Sequence, residues 1–353
     1  MAPDFDPNAP SSPDSGVFGL PHGEAEAAIV LVPVPWEVTT SYGGGTAGGP
    51  AAILAASRQV DLYDLDVERP YAAGVHMLAE SASVSAWNSE GRALAQRVIA
   101  AGGAHGDPAL LAALARVNAL GEALNDWVAG ETERLLAAGK IAGIVGGDHS
   151  VPLGAIAAVA RAQLARREGL GVLHFDAHAD LRRAYEGFHC SHASIMDNVL
   201  ERVPGVSRLV QVGIRDVCEE EVETMRRHGE RVRVFFDRDI ARRRLSGGSF
   251  ADIVAEIVAA LPQRVWVSFD IDGLDPRLCP HTGTPVPGGL DFHEAVFVLR
   301  EVVRAGRTIV GFDLNEVAPG PDPGDEWDGN VGARLLYKLV GFTLASQGRA
   351  RLL

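Results

Sequence analysis

Residues 171–180 read GVLHFDAHAD, and this stretch joins an apolar run to a polar one. The first half has the composition of a buried β-strand. Asp176, His178 and Asp180 then follow at every second position. Side chains of an extended segment alternate between its two faces, so these three are expected to point the same way.

Two other apolar runs end in acidic or imidazole side chains. Residues 141–146 lead into a Gly-Gly-Asp-His sequence that contains His149, and residues 265–272 contain Asp270 and Asp272. Ligands of open parallel sheets bind beyond the carboxyl ends of the strands. The three junctions are therefore expected to form one site.

Short β-branched runs alternate with longer amphipathic stretches along the rest of the chain. The predicted strands are 29–33, 141–146, 171–176, 209–214, 232–237, 265–272 and 308–317, and the predicted helices are 50–57, 108–138, 151–167, 192–203, 219–227, 250–261, 292–305 and 329–344. This alternation predicts an α/β fold with a mainly parallel sheet and helices on both of its faces.

We interpret residues 27–353 as a single domain, because no linker or break in composition divides them. Residues 1–26 are interpreted as an N-terminal extension, since they lack the basic and apolar regions of a signal peptide. Residues 81–104 fit the alternation poorly, because Ser, Gly and Ala dominate them without a clear period. They are interpreted as an insertion of unassigned role.

The composition excludes several classes of protein. The 353 residues carry a formal net charge of -14, which disfavours nucleic acid as a partner, and the apolar runs are too short to span a membrane. The three cysteines form no CxxC pair, as is typical of a reducing compartment. We expect a soluble, cytoplasmic protein, and the acidic balance is compatible with a cationic substrate.

The three junctions together predict a metal site. Many buried carboxylates repel one another unless cations lie among them. Oxygen and imidazole ligands without thiolate suit a hard, roughly octahedral ion such as Mn²⁺, and six ligands are enough for two ions that share carboxylates and activate a water between them. The predicted ligands are His149, Asp176, His178, Asp180, Asp270 and Asp272.

These motifs resemble those of the ureohydrolase superfamily, which includes arginases and agmatinases. The resemblance extends over residues 27–344, apart from 81–104, and includes the sequences SYGGGT at 41–46, TGTP at 282–285 and DLNEV at 313–317. It implies a three-layer α/β/α fold with a mainly parallel eight-stranded sheet. It also implies a hydrolase that cleaves a guanidino compound to urea and an amine.

The resemblance assigns roles to individual residues. Asp176 and Asp270 would bridge two Mn²⁺ ions per subunit, with Ni²⁺ as an alternative metal. The first ion would also bind His149 and Asp180, and the second His178 and Asp272. Glu316 would hold the guanidinium and His192 would carry protons, so the catalytic set is His192, Glu316 and Asp180; His189 is a rival of His192.

The identity of the substrate depends on the residues outside the metal motifs. Arg182 and Cys218 occupy positions where arginases receive the amino acid end of arginine, which disfavours arginine. Agmatine, converted to putrescine, is the first choice because the sequence around Tyr185 is agmatinase-like. An ion pair between Arg182 and a substrate carboxylate would favour guanidinobutyrate, guanidinopropionate or formiminoglutamate, so these compounds are alternatives. Free guanidine is another. His281 and Trp327 are departures from the family pattern, and Trp327 is a candidate for stacking on a cation.

Two other classes of function remain open at this point. One is an inactive ureohydrolase-like subunit, and the other is a single-zinc deacetylase of related fold. The expected partner is a small cationic guanidino substrate, and the analogy with the superfamily predicts a homo-oligomer, either a trimer or a hexamer.

Overall fold

A computed structural model describes residues 5–12, 14–322 and 324–353 of the chain. Its strands are β1 (Ile29–Val34), β2 (Val67–Glu68), β3 (Val75–Met77), β4 (Ile141–Gly146), β5 (Leu170–Phe175), β6 (Val206–Ile214), β7 (Val232–Phe236), β8 (Arg264–Asp270), β9 (Thr308–Asn315) and β10 (Arg351–Leu352). Eight of them form a parallel sheet in the order β3-β1-β4-β9-β8-β5-β6-β7, and β2 pairs with β10 in a separate antiparallel ribbon. The predicted eight-stranded parallel sheet is confirmed.

Ten α-helices surround the sheet in the described part of the chain. They are α1 (Gly49–Ser57), α2 (Ala82–Ala100), α3 (Pro108–Ala137), α4 (Leu153–Ala165), α5 (Ile195–Arg202), α6 (Glu219–His228), α7 (Asp237–Leu245), α8 (Phe250–Ala260), α9 (Phe292–Arg304) and α10 (Trp327–Ser346). No described helix is long and apolar enough to cross a membrane.

The sheet separates two apolar cores. Along β1, Ile29 and Leu31 belong to the core that includes α8, α9 and α10, while Val30 and Val32 belong to the core that includes α3, α4 and α5. All six residues of β1 are buried, as expected for a parallel strand that is covered on both faces. The two cores explain why the strands read as nearly continuous apolar runs.

The segment 81–104 is more regular than the sequence suggested. It contains helix α2. The Ser81 side chain caps this helix by accepting a hydrogen bond from the Val84 backbone N–H at 3.5 Å. The buried residues are Val84, Gly91, Ala95 and Val98, which fall on one face of a helix. Because only four positions are buried, the apolar period is sparse, and we missed the helix.

Two predicted strands extended too far. The strand predicted over 265–272 ends at Asp270, whose carboxylate accepts a hydrogen bond from the Asp272 N–H at 2.8 Å and turns the chain into a short 3₁₀ helix, Ile271–Gly273. The strand predicted over 308–317 ends at Asn315, because Glu316 has a positive φ of 62°. In both cases the chain leaves the extended conformation where functional residues begin.

Strand β3 and helix α7 had no prediction, and neither did the two-residue strands β2 and β10. Strand β3 has only three residues at the edge of the sheet, too few for a period of two to be visible. Helix α7 is rich in arginine and buries only Ile240. Neither β3 nor α7 carries a predicted site residue.

The predicted N-terminal extension has a packed portion. Val17, Phe18 and Leu20 are buried, and the Phe18 ring packs edge-on against Tyr337 of α10 with 4.9 Å between ring centroids. Residues 1–4 and 13 of the predicted extension lie outside the described residues. The described residues before 27 therefore contribute to the core of the domain.

Candidate active site

The site lies beyond the carboxyl ends of four neighbouring strands at the centre of the sheet. In spatial order these are β4, β9, β8 and β5. His149 follows β4, Glu316 follows β9, Asp270 ends β8 and Asp176 follows β5. The strand order therefore brings together side chains that are far apart in the sequence.

The His149 imidazole is surrounded by carboxylates. Its Nδ1 atom lies 3.0 Å from Asp176 Oδ2, 3.4 Å from Asp180 Oδ2 and 3.3 Å from Asp270 Oδ2. All four residues are at most 4 % exposed. Three acidic oxygens and one imidazole nitrogen therefore face a common point, as the ligands of one metal ion do.

A second group of ligands surrounds His178. Its Nδ1 atom lies 3.1 Å from Asp272 Oδ2 and 3.4 Å from Asp176 Oδ1. Asp176 thus turns one carboxylate oxygen toward His149 and the other toward His178. That is the arrangement expected of a carboxylate that bridges two ions.

Asp270 has a different arrangement. One oxygen faces His149, and the other accepts the hydrogen bond from the Asp272 backbone. The structure therefore brings together all six predicted ligands, although alternation along a strand is not the reason. Asp272 reaches the site from a 3₁₀ turn, and Asp180 does so with a positive φ of 55°.

The charges of the cluster fit divalent cations. Burial, followed by the neighbouring charge of Asp176, raises the pKa of Asp180 well above its ordinary value. Burial and the nearby Asp272 and Asp176 do the same to the pKa of Asp270. Potential ligand atoms of His149, His174, Asp176 and Asp180 all lie within 4.8 Å of one another, as do those of Asp176, His178 and Asp272. The residues therefore suit two ions, and cations would relieve the repulsion.

We did not predict a role for His174, although it lies within the opening stretch GVLHFDAHAD. Its Nε2 atom is 2.8 Å from Asp176 Oδ2, and its Nδ1 atom is 2.9 Å from Gln211 Nε2. Gln211 also donates to the Ala179 carbonyl at 2.7 Å. A buried histidine in an apolar strand was the available signal, since such groups need partners.

A second supporting group lies behind His149. The Nε2 atom of His149 is 2.9 Å from Ser268 Oγ, and Ser268 donates to Asp313 Oδ1 at 2.9 Å. This pair occupies the far side of the imidazole, so Nδ1 is the nitrogen directed at the carboxylates. Groups of this kind orient the histidine ligands of metals.

Glu316 occupies a strained and buried position beside His149. One oxygen, Oε1, accepts a hydrogen bond from the His149 backbone N–H at 2.9 Å. The other, Oε2, is buried and has no hydrogen-bond partner among the described residues. Burial, together with the charge of Asp270, raises the pKa of Glu316 well above its ordinary value. Both a free acceptor and a positive φ at a buried acid are typical of functional positions.

A cavity of about 140 Å³ leads from the surface to His178 and Asp180. It is lined by Ser41, His178, Asp180, Arg182, Tyr185, His192, Ala193, Asp216, Val217, Glu221 and Thr284. His192 lies on this cavity, with its Nδ1 atom 3.4 Å from Thr39 Oγ1, and burial lowers its pKa to about 4. His189 is exposed and lies in a separate depression with Asn118 and Arg202.

The outer part of the cavity carries both signs of charge. The Arg182 guanidinium lies over the Tyr185 ring, 5.2 Å from its centroid. Asp216 is exposed and has no ion-pair partner within the described residues. Cys218 is the N-cap residue of α6 and does not line the cavity. Trp327 lies outside it too, and its indole N–H donates to the Arg277 carbonyl at 3.0 Å.

Comparisons with known proteins identify the family of the chain. The profile of the arginase family matches residues 27–341. The chain is 31% identical to the N(1)-aminopropylagmatine ureohydrolase of Synechocystis sp., over 92% of this chain and 91% of that protein, and 33% identical to the enzyme of the same name from Thermus thermophilus, over 90% of each. The crystal structure of the agmatine ureohydrolase of Thermoplasma volcanium has the same fold, with a TM-score of 0.70 and 24% identity over 95% of this chain and 96% of that one. The chain therefore belongs to the arginase family and is a ureohydrolase, a hydrolase of carbon–nitrogen bonds in linear amidines.

Proposed function

We propose that the protein removes urea from a linear guanidino compound with a cationic tail, agmatine first, at a site that holds two Mn²⁺ ions. The observation that carries the proposal is the position of Asp176, whose two oxygens face His149 and His178. Asp180 and Asp270 would complete the ligands on the side of His149, and Asp272 those on the side of His178. Ni²⁺ suits the same ligands.

The metals are needed because a guanidinium carbon is a poor electrophile. Its positive charge is delocalised over three nitrogens, and its pKa above 12 keeps it protonated. When bound, a pair of Mn²⁺ ions supplies a nucleophile from water at neutral pH and stabilises developing negative charge.

The protein itself orients the substrate and moves protons. Glu316 offers Oε2 to the guanidinium N–H groups, since its other oxygen is already occupied by the His149 backbone. His192 lies on the cavity wall, within reach of an amine that leaves toward the surface. Because burial lowers its pKa to about 4, His192 is neutral at pH 7, and its imidazole would relay a proton to the departing amine without holding it.

The cavity wall supports a cationic tail. Arg182 and Cys218 leave no acceptor at the two positions where arginases receive the arginine α-amino group, so we disfavour arginine. Asp216 offers an exposed carboxylate to an ammonium group instead. N(1)-aminopropylagmatine is our second candidate, because the two relatives named above bear its name and a longer cationic chain suits the same acidic wall.

A panel of substrates tests the proposal. The enzyme is loaded with Mn²⁺ or Ni²⁺, and urea release is measured with agmatine, N(1)-aminopropylagmatine, arginine, guanidinobutyrate, guanidinopropionate and free guanidine, while formamide release is measured with formiminoglutamate. We expect the highest kcat/KM with one of the first two compounds. A carboxylate substrate in first place would assign the recognition to Arg182 instead. Two bound metals without hydrolysis of any compound would support the inactive-subunit hypothesis, and one Zn²⁺ with deacetylase activity would support the deacetylase.

The predicted homo-oligomer stays a proposal as well. Light scattering on the purified protein distinguishes a trimer or hexamer from a monomer. A monomer that hydrolyses agmatine would contradict the proposed assembly without affecting the proposed reaction.

A further inference from the structure

His281, a departure from the family pattern, makes two contacts with a single carboxylate. Its backbone N–H donates to Asp328 Oδ1 at 3.0 Å, and its Nδ1 atom lies 2.9 Å from Asp328 Oδ2. Asp328 is 1 % exposed and belongs to the first turn of α10. A buried carboxylate held at both oxygens fixes the backbone and the side chain of its partner together.

Two further hydrogen bonds hold the same part of the chain. The Trp327 indole, next to Asp328, donates to the Arg277 carbonyl at 3.0 Å. The buried Cys279 thiol donates to the Ile271 carbonyl at 3.2 Å. The start of α10 and the 3₁₀ turn after β8 thus hold residues 277–281 from two sides.

Two residues after this anchored part, the chain passes next to Glu316 in space. A Cβ atom placed on Gly283 would lie 3.3 Å from Glu316 Oε2, the acceptor that has no partner among the described residues. The Gly283 carbonyl accepts a hydrogen bond from the Gly43 N–H at 3.1 Å. Thr284 follows on the cavity wall, with Oγ1 3.5 Å from Asp272 Oδ2. Residues 282–284 therefore form one side of the space in front of Glu316 Oε2.

We propose that His281, through its clamp on Asp328, is a positioning residue that holds the Gly283 backbone against Glu316 and so fixes where Oε2 meets the guanidinium. This inference rests on the proposed role of Glu316. Gly283 packs against Glu316 Oε2, so the position of this carboxylate oxygen depends on where the Gly283 backbone is held. A planar guanidinium is sensitive to the position of its acceptor, and misplacement by about 1 Å far from the chemistry can cost as much as about 10²-fold.

The test compares His281→Ala with His281→Asn, whose amide can still donate to Asp328. For His281→Ala we expect KM for agmatine to rise about tenfold while kcat changes less than about twofold, because binding common to the ground and transition states is lost. Guanidinium chloride should inhibit this variant more weakly by the same factor. His281→Asn should restore most of both values. Hydrogen exchange of the metal-free protein should quicken over residues 279–284 in His281→Ala alone.

Controls separate this inference from the proposed function. His189→Ala removes an exposed histidine from the other depression and should change neither KM nor exchange at 279–284. Trp327→Phe removes only the bond to Arg277, so it supplies a second, milder variant in case His281→Ala unfolds, and a smaller rise in KM is expected. If Glu316→Gln is inactive but both variants keep the wild-type KM and exchange rates, the positioning role is wrong. If Glu316→Gln stays active, the proposed function fails first.

Discussion

The six predicted metal ligands at the inner end of the cavity, here called the floor, differ from the outer wall in how their side chains are held. The outer wall is formed by Arg182, Tyr185 and Asp216. On the floor, the single carboxylate of Asp176 faces three imidazoles. The groups that support the floor residues lie on buried strands. On the wall, Arg182 rests on Tyr185, and Asp216 is exposed without an ion-pair partner in the described ranges. The floor is a product of strand order, so it fixes the class of reaction. The wall belongs to loops outside the sheet, so we expect it to select the substrate.

The largest effect should come from the buried carboxylates of the floor. Asp176→Asn or Asp270→Asn should lower kcat/KM by about 10³-fold or more, because the stabilisation that metal ions give to a transition state amounts to several kcal/mol. Bound metal per chain, measured by plasma mass spectrometry, should fall below two. The same change on the wall, Asp216→Asn, should leave two metals bound. Full turnover with full metal in Asp176→Asn would contradict the assignment.

A change at Glu316 should separate substrate binding from metal binding. Glu316→Gln retains an oxygen for the His149 N–H but loses the charge that faces the guanidinium. We expect kcat/KM to fall about 10²-fold or more, as when one partner of a buried charge pair is removed. Two metals should remain bound. A loss of metal of the same size as in Asp176→Asn would instead make Glu316 part of the metal floor.

His192 lies at the boundary between floor and wall. His192→Ala should slow kcat about 10²-fold, the usual contribution of a positioned acid or base, with both metals retained. His189→Ala is the matched control, since this histidine lies in a separate depression and should leave kcat unchanged. The reverse result, a slow His189→Ala and a normal His192→Ala, would move the proton carrier to the other histidine.

The sequence was sufficient to predict that the residues of the floor meet. Its ligands follow apolar runs, and parallel strands place their carboxyl ends at one edge, so His149, Asp176 and Asp270 were expected to meet although more than a hundred residues separate the first from the last. The backbone conformations that bring the remaining side chains into the site were not predictable in this way. Asp180 and Glu316 have positive φ angles, which no residue pattern indicates for an acidic side chain.

Supporting contacts were harder to predict than ligands. Ser268 and Asp313 approach His149 from strands β8 and β9, which are neighbours only because of the strand order. The role of α2 was also hidden. Its Asn88 accepts a hydrogen bond from the Glu37 backbone N–H at 2.8 Å and so holds the loop that carries Thr39 against His192. Long-range contacts between short polar side chains have no period in the sequence.

The smallest effects should come from substitutions on the wall. These substitutions also give the sharpest test of the difference between floor and wall. Asp216→Asn should raise KM for agmatine about fivefold, the size expected of an exposed charge pair, and should leave kcat unchanged. Arg182→Ala should leave agmatine unaffected or slightly favour it, because a cation is removed from the path of a cationic tail. The measurement is kcat/KM for agmatine and for guanidinobutyrate in each variant. Substitutions on the wall should alter the ratio of kcat/KM between the two substrates, and substitutions on the floor should lower both values equally. That result would show that recognition and chemistry are carried by separate parts of the molecule. Equal losses of kcat/KM for both substrates after a wall substitution would show that they are not.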